Sequence, residues 1–438
     1  MEPYKEIILN KLEKNVEIIK EKVPSALKIG IDIDEDSSET ISKYAKNLEN
    51  DHDFLNAAIR SMVHIEIVKQ MNPENCEKCV KILKGFIRGC NGDTLILTSD
   101  IDFCEVVKQI IEQEKPNFKA AAQMIISLVN NKIFEVKQPH IKNRIYLILH
   151  NYQLLKPKII FNIVEIYLNY LKNQLIIDEQ DTEMYFFLFD LFINLTIEFK
   201  NEDTGIHCIK IMKQLIKING LDIKNFLSEH IVNLLDYLFN EEYMEDYFLH
   251  LLDFVVGVIY IYDFNELVDL SDFDTKVTER MTNNEASIIT ITHSIITLNV
   301  KSFNINSIEN NAKVILDHFL EEIDNATLNT KSMFIEFLFW MDDNFGIDII
   351  LKCLEERKID VSTFMTILSD ICVYKKGLQR EALMIVIELL INQTEKPSTY
   401  LDSLSKEEVH NMIDICMEEE DEIIEEMADI ILKYINVE

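Results

Sequence analysis

Glycine and proline are scarce, 9 and 7 of them in 438 residues. That shortage excludes the many tight turns of an all-β domain and the glycine loops of nucleotide-binding α/β folds. Long apolar runs are lacking too. The best candidate, Phe254 to Tyr262, is closed by Asp253 and Asp263, whereas a membrane span needs roughly 20 apolar residues. A buried helix is expected there, and no membrane insertion. Met1 to Lys22 is charged throughout and has no apolar core of a secretory leader. Without that route the sequon Asn194-Leu195-Thr196 carries no meaning. Catalytic signatures are missing as well: there is no Gly-x-Ser-x-Gly elbow, no phosphate loop and no His-Glu-x-x-His, and Gly89-x-x-Gly92 lacks the remaining glycines of a dinucleotide turn. The ten histidines are dispersed along helical segments. No enzyme is expected.

Eight cysteines fall mostly within apolar helical stripes, where a free thiol behaves as a small hydrophobe. A reducing compartment follows: the cytoplasm is expected, the nucleus being the alternative. Cys76 and Cys79, with Cys90 and Cys104, could be drawn as a zinc site. Cys76, Cys79, Leu83, Ile87 and Cys90 also trace the core stripe of one helix, and the second paired knuckle of a structural zinc site is absent. Asp32-x-Asp34-x-Asp36 opens like a calcium loop but has Ser37 at the turn glycine and Lys43 at the closing glutamate. Neither a metal nor a cofactor is expected.

What is present is apolar residue in ordinary amount, 48%, and acid in excess, 76 carboxylates against 43 cations for a net charge of −33. The charge is segregated. Residues 1–114 carry net −7, residues 115–177 carry net +7 and residues 178–438 carry net −33. So acidic a body repels phosphate backbones, which argues against nucleic acid as main ligand.

Internal periodicity decides the fold class. Expected helix starts recur near Pro73, Pro116, Pro157, Asp203, Glu241, Glu285, Thr330, Lys376 and Glu420, in steps of 38 to 46 residues. A second series interleaves near Asp53, Ser99, Pro139, Asp181, Ile223, Asp272 and Ser307. Asn72-Pro73-Glu74 reads as a cap with a first-position proline, and Ser405 to Glu408 as a capping box. Segments 159–171, 184–199 and 248–262 are apolar nearly all round, as helices sandwiched between neighbours must be.

These positions resemble armadillo-type repeat proteins. The last-helix pattern of that family appears in Leu378 to Ala382 through Leu389, Leu390 and Asn392, in Ile424 to Ala428 through Ile435 and Asn436, and in Phe118 to Ala122 through Val129 and Asn130. The resemblance implies an all-α, right-handed α-solenoid of about nine armadillo/HEAT-like repeats over residues 39–438, the last an acidic cap. The glycine between the family's first and second helices is mostly missing, so armadillo and HEAT both stay open. Ahead of the array, residues 1–28 read as an amphipathic capping helix, with Tyr4, Ile8, Leu12, Val16, Ile19 and Val23 in register, and residues 29–38 as an acidic linker.

Two candidate binding sites emerge. Lys132, Lys137, Lys142, Arg144, Lys156 and Lys158 fall around connections and helix ends that stacking would gather into one basic patch, suited to an acidic or phosphorylated segment. Trp340 and Asn344 are spaced like the Trp–Asn pair that importin-like armadillo proteins use to hold a basic peptide, though the pair occurs once. The acidic C-terminal half, with Glu418 to Glu422, suits a basic partner. A non-enzymatic protein-binding scaffold is the expected function. The alternatives are an importin-like transport receptor or chaperone for basic cargo, and the regulatory subunit of an enzyme complex.

Overall fold

The computed structural model describes residues 35–90, 95–174, 177–200, 203–218, 223–240, 242–270, 272–298, 305–322, 326–374, 376–395, 405–417 and 421–436. Among them the regular structure is entirely helical. The capping helix expected over residues 1–28 and most of the linker lie outside the described residues. The first described helix begins at Glu35 and so takes in the last four residues read as linker.

The chain divides into two compact units, one of residues 1–187 with 217–221 and one of residues 188–216 with 222–438. The first contains α1 (Glu35–Asn50), α2 (His52–Arg60), α3 (Val63–Gln70), α4 (Cys76–Gly89), α5 (Leu95–Asp100), α6 (Phe103–Glu112), α7 (Phe118–Asn130), α8 (Pro139–His150) and α9 (Pro157–Lys172). The boundary falls within α10 (Glu179–Glu198). The second unit continues with α11 (Asp203–Ile216), α12 (Lys224–Asn240), α13 (Glu245–Tyr262), α14 (Phe273–Thr278), α15 (Glu285–Thr297) and α16 (Ile305–Glu322). It closes with α17 (Leu328–Phe345), α18 (Ile347–Glu356), α19 (Val361–Tyr374), α20 (Gln379–Glu395), α21 (Lys406–Cys416) and α22 (Glu422–Asn436).

Local chemistry sets the helix starts. Side chains of Asp51, Asp102, Asn117, Asn284 and Thr327 accept hydrogen bonds from backbone N–H groups of the first turns of α2, α6, α7, α15 and α17, relieving donors that a helix leaves unpaired. Pro139 and Pro157 open α8 and α9 at the position where a missing N–H costs nothing. Ser405 and Glu408 form the expected reciprocal capping box. The cap expected at Asn72 is different: Asn72 Oδ1 accepts from the N–H groups of Glu74 and Asn75, a local turn, and the helix starts at Cys76, three residues after Pro73. Gly346, at φ +80, is the break that separates α17 from α18.

Packing follows alternation along the chain. In the first unit α1 lies against α4, α4 against α7 and α7 against α9. In the second, α11, α13, α15, α17, α20 and α22 pack each on the next, and α14, α16 and α18 form a parallel succession. The cores are those contacts: Phe86, Ile87, Ala121, Met124, Ile125 and Ile163 are buried in the first unit, and Phe254, Ile291, Phe334, Phe337 and Leu383 in the second. Most hydrogen bonds between distant side chains join residues 35 to 46 apart, as in Lys119–Glu77, Gln180–Asn143, Arg357–Asp317 and Arg380–Asp421. That interval matches the step between expected helix starts.

Close approach needs small residues at one crossing. A Cβ on Gly85 would sit 2.6 Å from Ala45 O, and one on Gly89 would sit 2.1 Å from Leu48 O. These glycines, four residues apart on α4, let the α1 backbone pack directly on it.

Candidate functional site

Helices α4, α7 and α9 present polar residues at helical spacing: Lys84 and Arg88, then Lys119, Gln123 and Asn130, then Lys158 and Asn162. These three helices border a cavity of about 360 Å³. Five of its lining residues are cations: Lys84, Arg88, Lys119, Lys156 and Lys158. Amides of Gln123, Asn130, Asn131 and Asn162 supply further donors and acceptors, and Ile126 and Ile159 an apolar floor. No Asp or Glu is among the described lining residues.

The electrostatics are unbalanced. Arg88 reaches Glu49 at 3.4 Å and Lys119 reaches Glu77 at 2.6 Å, both at exposed positions, where such pairs contribute ~0–1 kcal/mol. The Lys84 ammonium is held below the ordinary lysine range, first by burial and then by repulsion from Arg88 and Lys81, with Glu49 pulling weakly the other way. Helix α9 adds a fixed contribution. Its cap, Lys156, makes no side-chain capping bond, and Lys158 and Ile159 of its first turn line the cavity, so the positive end of the helix dipole lies at the cleft.

The basic patch expected from sequence is therefore partly redrawn. Lys156 and Lys158 line the cleft. Lys132 is exposed in a left-handed turn (φ 59) beyond α7, and Lys137 is paired with Glu135 at 2.6 Å. Arg144 is half-buried on α8, its Nη1 without a hydrogen-bond partner among the described residues.

Lys142 is not a surface residue at all. It is buried, with Nζ 2.7 Å from Asp181 Oδ2 and 2.9 Å from Asp178 Oδ2 and lying over the Tyr170 ring. Tyr167 and Tyr170 donate hydrogen bonds to the same Asp181 carboxylate at 2.6 and 2.8 Å. Burial would depress the ammonium, but Asp181, Tyr170 and Asp178 outweigh it and leave Lys142 above the ordinary lysine range. Its charge serves to tie α8 to α9 and the start of α10.

The Trp340 and Asn344 pair is corrected likewise. Trp340 is 7% exposed, stacked on Phe337 with ring centroids 5.6 Å apart and met edge-on by Phe345. Its indole faces are committed to the core of the second unit. Asn344 Nδ2 donates to Trp340 O at 2.8 Å, bonding the end of its own helix. No groove pair forms here. Of the cysteines read as one core stripe, Cys76 and Cys79 are buried, and burial pushes both thiols up to about 12, whereas Cys90 is half-buried at the end of α4.

Sequence reasoning overlooked Lys84, Arg88 and Lys119 because they lie outside or at the edge of the net-positive stretch. A signal was present. Lys119 and Lys158 are 39 positions apart, as are Lys84, Gln123 and Asn162 in turn, so an alignment on that step places them on one face.

The second unit has its own cavity, about 300 Å³ between α13 and α15, lined by Asp246, His250, Asp253 and His293. Asp253 is already paired with Lys213. Burial, then Lys210 and Lys213, hold the His250 imidazole below its ordinary range. Farther along, burial together with Glu388 and Asp343 pushes the Asp342 carboxyl up to about 6. No described helix is long and apolar enough to cross a membrane.

No family model matches the chain, and no curated protein matches it. Among solved structures, a crystal structure of an engineered protein aligns over 94% of this chain and 98% of its own at 12% identity, with a TM-score of 0.24. At that score the likeness carries no argument about fold or function.

Proposed function

We propose that this protein is a non-enzymatic interaction scaffold, a right-handed α-solenoid of about nine armadillo/HEAT-like repeats whose N-terminal unit holds an acidic segment of a partner protein. Helix-on-alternate-helix packing and hydrogen bonds at intervals of 35 to 46 residues support the repeat reading. One observation carries the binding role: five cations converge on a cleft with no carboxylate among its described lining residues, in a chain with 76 acids to 43 bases. Such a seat concentrates positive potential in a chain of net charge −33, which selects anionic partners and speeds their approach. Among the described residues the cleft lining has no carboxylate, thiol or imidazole to shuttle a proton, which favours holding over catalysis.

Reversing Lys84, Arg88 and Lys158 to Glu should abolish capture of an acidic peptide by the full-length protein in fluorescence anisotropy while circular dichroism stays unchanged. Retained capture would remove the cleft from the reading. A basic partner on the C-terminal half, as for a transport receptor, is the second reading, favoured by the uncompensated repulsion at Asp342, Asp343 and Glu388. Saturable binding of a lysine-rich peptide that Asp343→Lys weakens would support it; equal binding by the variant would reject it.

A further inference from the structure

We infer that the cleft between α4, α7 and α9 is a phosphoryl seat, taking a phosphorylated serine or threonine within an extended segment of a partner protein. The inference rests on the scaffold reading and narrows the acidic partner to one chemistry. Charge balance is the first argument. Arg88 and Lys119 keep glutamate partners, whereas Lys84, Lys156 and Lys158 line the cavity with no ion-pair partner among the described residues. One carboxylate would leave that trio undercompensated, while a phosphomonoester brings about −1.5 to −2 charge and three acceptor oxygens to a single point.

Position supplies the second argument. Lys84 is half-buried and already disfavoured as a cation by burial and by Arg88. A compact dianion restores what its lost hydration removed, and the N-terminal end of α9, whose Ile159 and Ile160 N–H groups bond Lys156 O, adds the positive potential of the helix dipole at the same cleft. The amides of Gln123, Asn130 and Asn162 flank the cations along one face, offering the paired donor and acceptor that an extended backbone needs. A cavity of about 360 Å³ has room for a phosphorylated side chain with its neighbours.

Nucleic acid would bring phosphate too, yet no aromatic side chain lines the cleft for a base to stack on. A net charge of −33 also repels a polyanion that must track across the surface. A single phosphoryl group meets only the local positive potential.

The test uses the full-length protein at physiological salt and three probes: a degenerate phosphoserine peptide library, its dephosphorylated twin, and inorganic phosphate as competitor. Phosphorylation should tighten binding by about 10-fold or more, the range expected of new charge-assisted hydrogen bonds. Inorganic phosphate should compete, and Lys84→Met with Lys158→Met should erase the preference without lowering the melting temperature. The milder Lys84→Gln alone should erase part of it, which guards against misfolding of the double variant. Equal binding of the two libraries overturns the phosphoryl assignment and leaves the acidic-segment reading standing. Binding of neither overturns both, and tighter binding of a single-stranded RNA oligonucleotide than of the phosphopeptides overturns the choice of partner.

Discussion

The contrast between Lys84 and Lys142 is a matter of a few ångströms. Both sit on helices of the first unit, but Lys142 meets Asp181 at 2.7 Å and Asp178 at 2.9 Å, while the described lining of the cavity around Lys84 has cations, amides, Ser127 and two isoleucines but no carboxylate. One lysine is paired within the fold; the other lines the proposed seat. Lys142→Met should destabilise the protein by about 3–5 kcal/mol in urea titration, because it strands the Asp181 charge in the interior; a loss below ~1 kcal/mol would mean the network is hydrated. Asp342 predicts a pH effect. Its folded value of about 6 lies above the ordinary 3.8, so the folded protein holds a proton that the unfolded chain releases between those values. Stability at this site is therefore lost as pH rises through that window. Asp342→Asn should raise the melting temperature above wild type at about pH 7.5 and leave it equal at about pH 3.5, in thermal scans; the reverse order would refute the assigned repulsion.

Helices were the most legible level. Caps at Asp51, Asn117, Asn284 and Ser405 are short-range chemistry, written in three or four consecutive residues. The start of α4 moved for a local reason too: Asn75 is buried, accepts from Asn72 N–H and donates to Gln70 O, and so turns the chain before the helix begins. The glycines of α4 were legible only as an absence of motif. Their role appears when α1 lies across them with backbone oxygens 2.6 and 2.1 Å from the added Cβ positions. Gly89→Ala should cost about 1–3 kcal/mol as the helices are forced apart, seen as a lower midpoint in urea, whereas the same change at Gly257, with nothing within 4 Å, should be stabilising by up to about 1 kcal/mol. A neutral Gly89→Ala would show that α1 is not held by that crossing.

At the scale of the molecule, two compact units predict that unfolding is not a single transition. Urea melts followed by the fluorescence of Trp340, which reports on the second unit, should diverge from melts followed by far-ultraviolet circular dichroism; coincident curves would argue for one cooperative body. Composition and scarce turns were enough to determine an all-helical fold among the described residues, because helix periodicity and capping are local. Which cations meet was decided only by tertiary structure. Linear charge counting joined Lys132, Lys137, Lys142 and Arg144 to Lys156 and Lys158, but packing turns α8 away, buries Lys142 against Asp181, and instead brings Lys84 and Arg88 from a full step earlier beside Lys119 and Lys158. Side-chain direction depends on the rotation of each helix about its axis. That angle is settled by the apolar stripe each helix buries against its neighbours, not by the charges it carries on the far side.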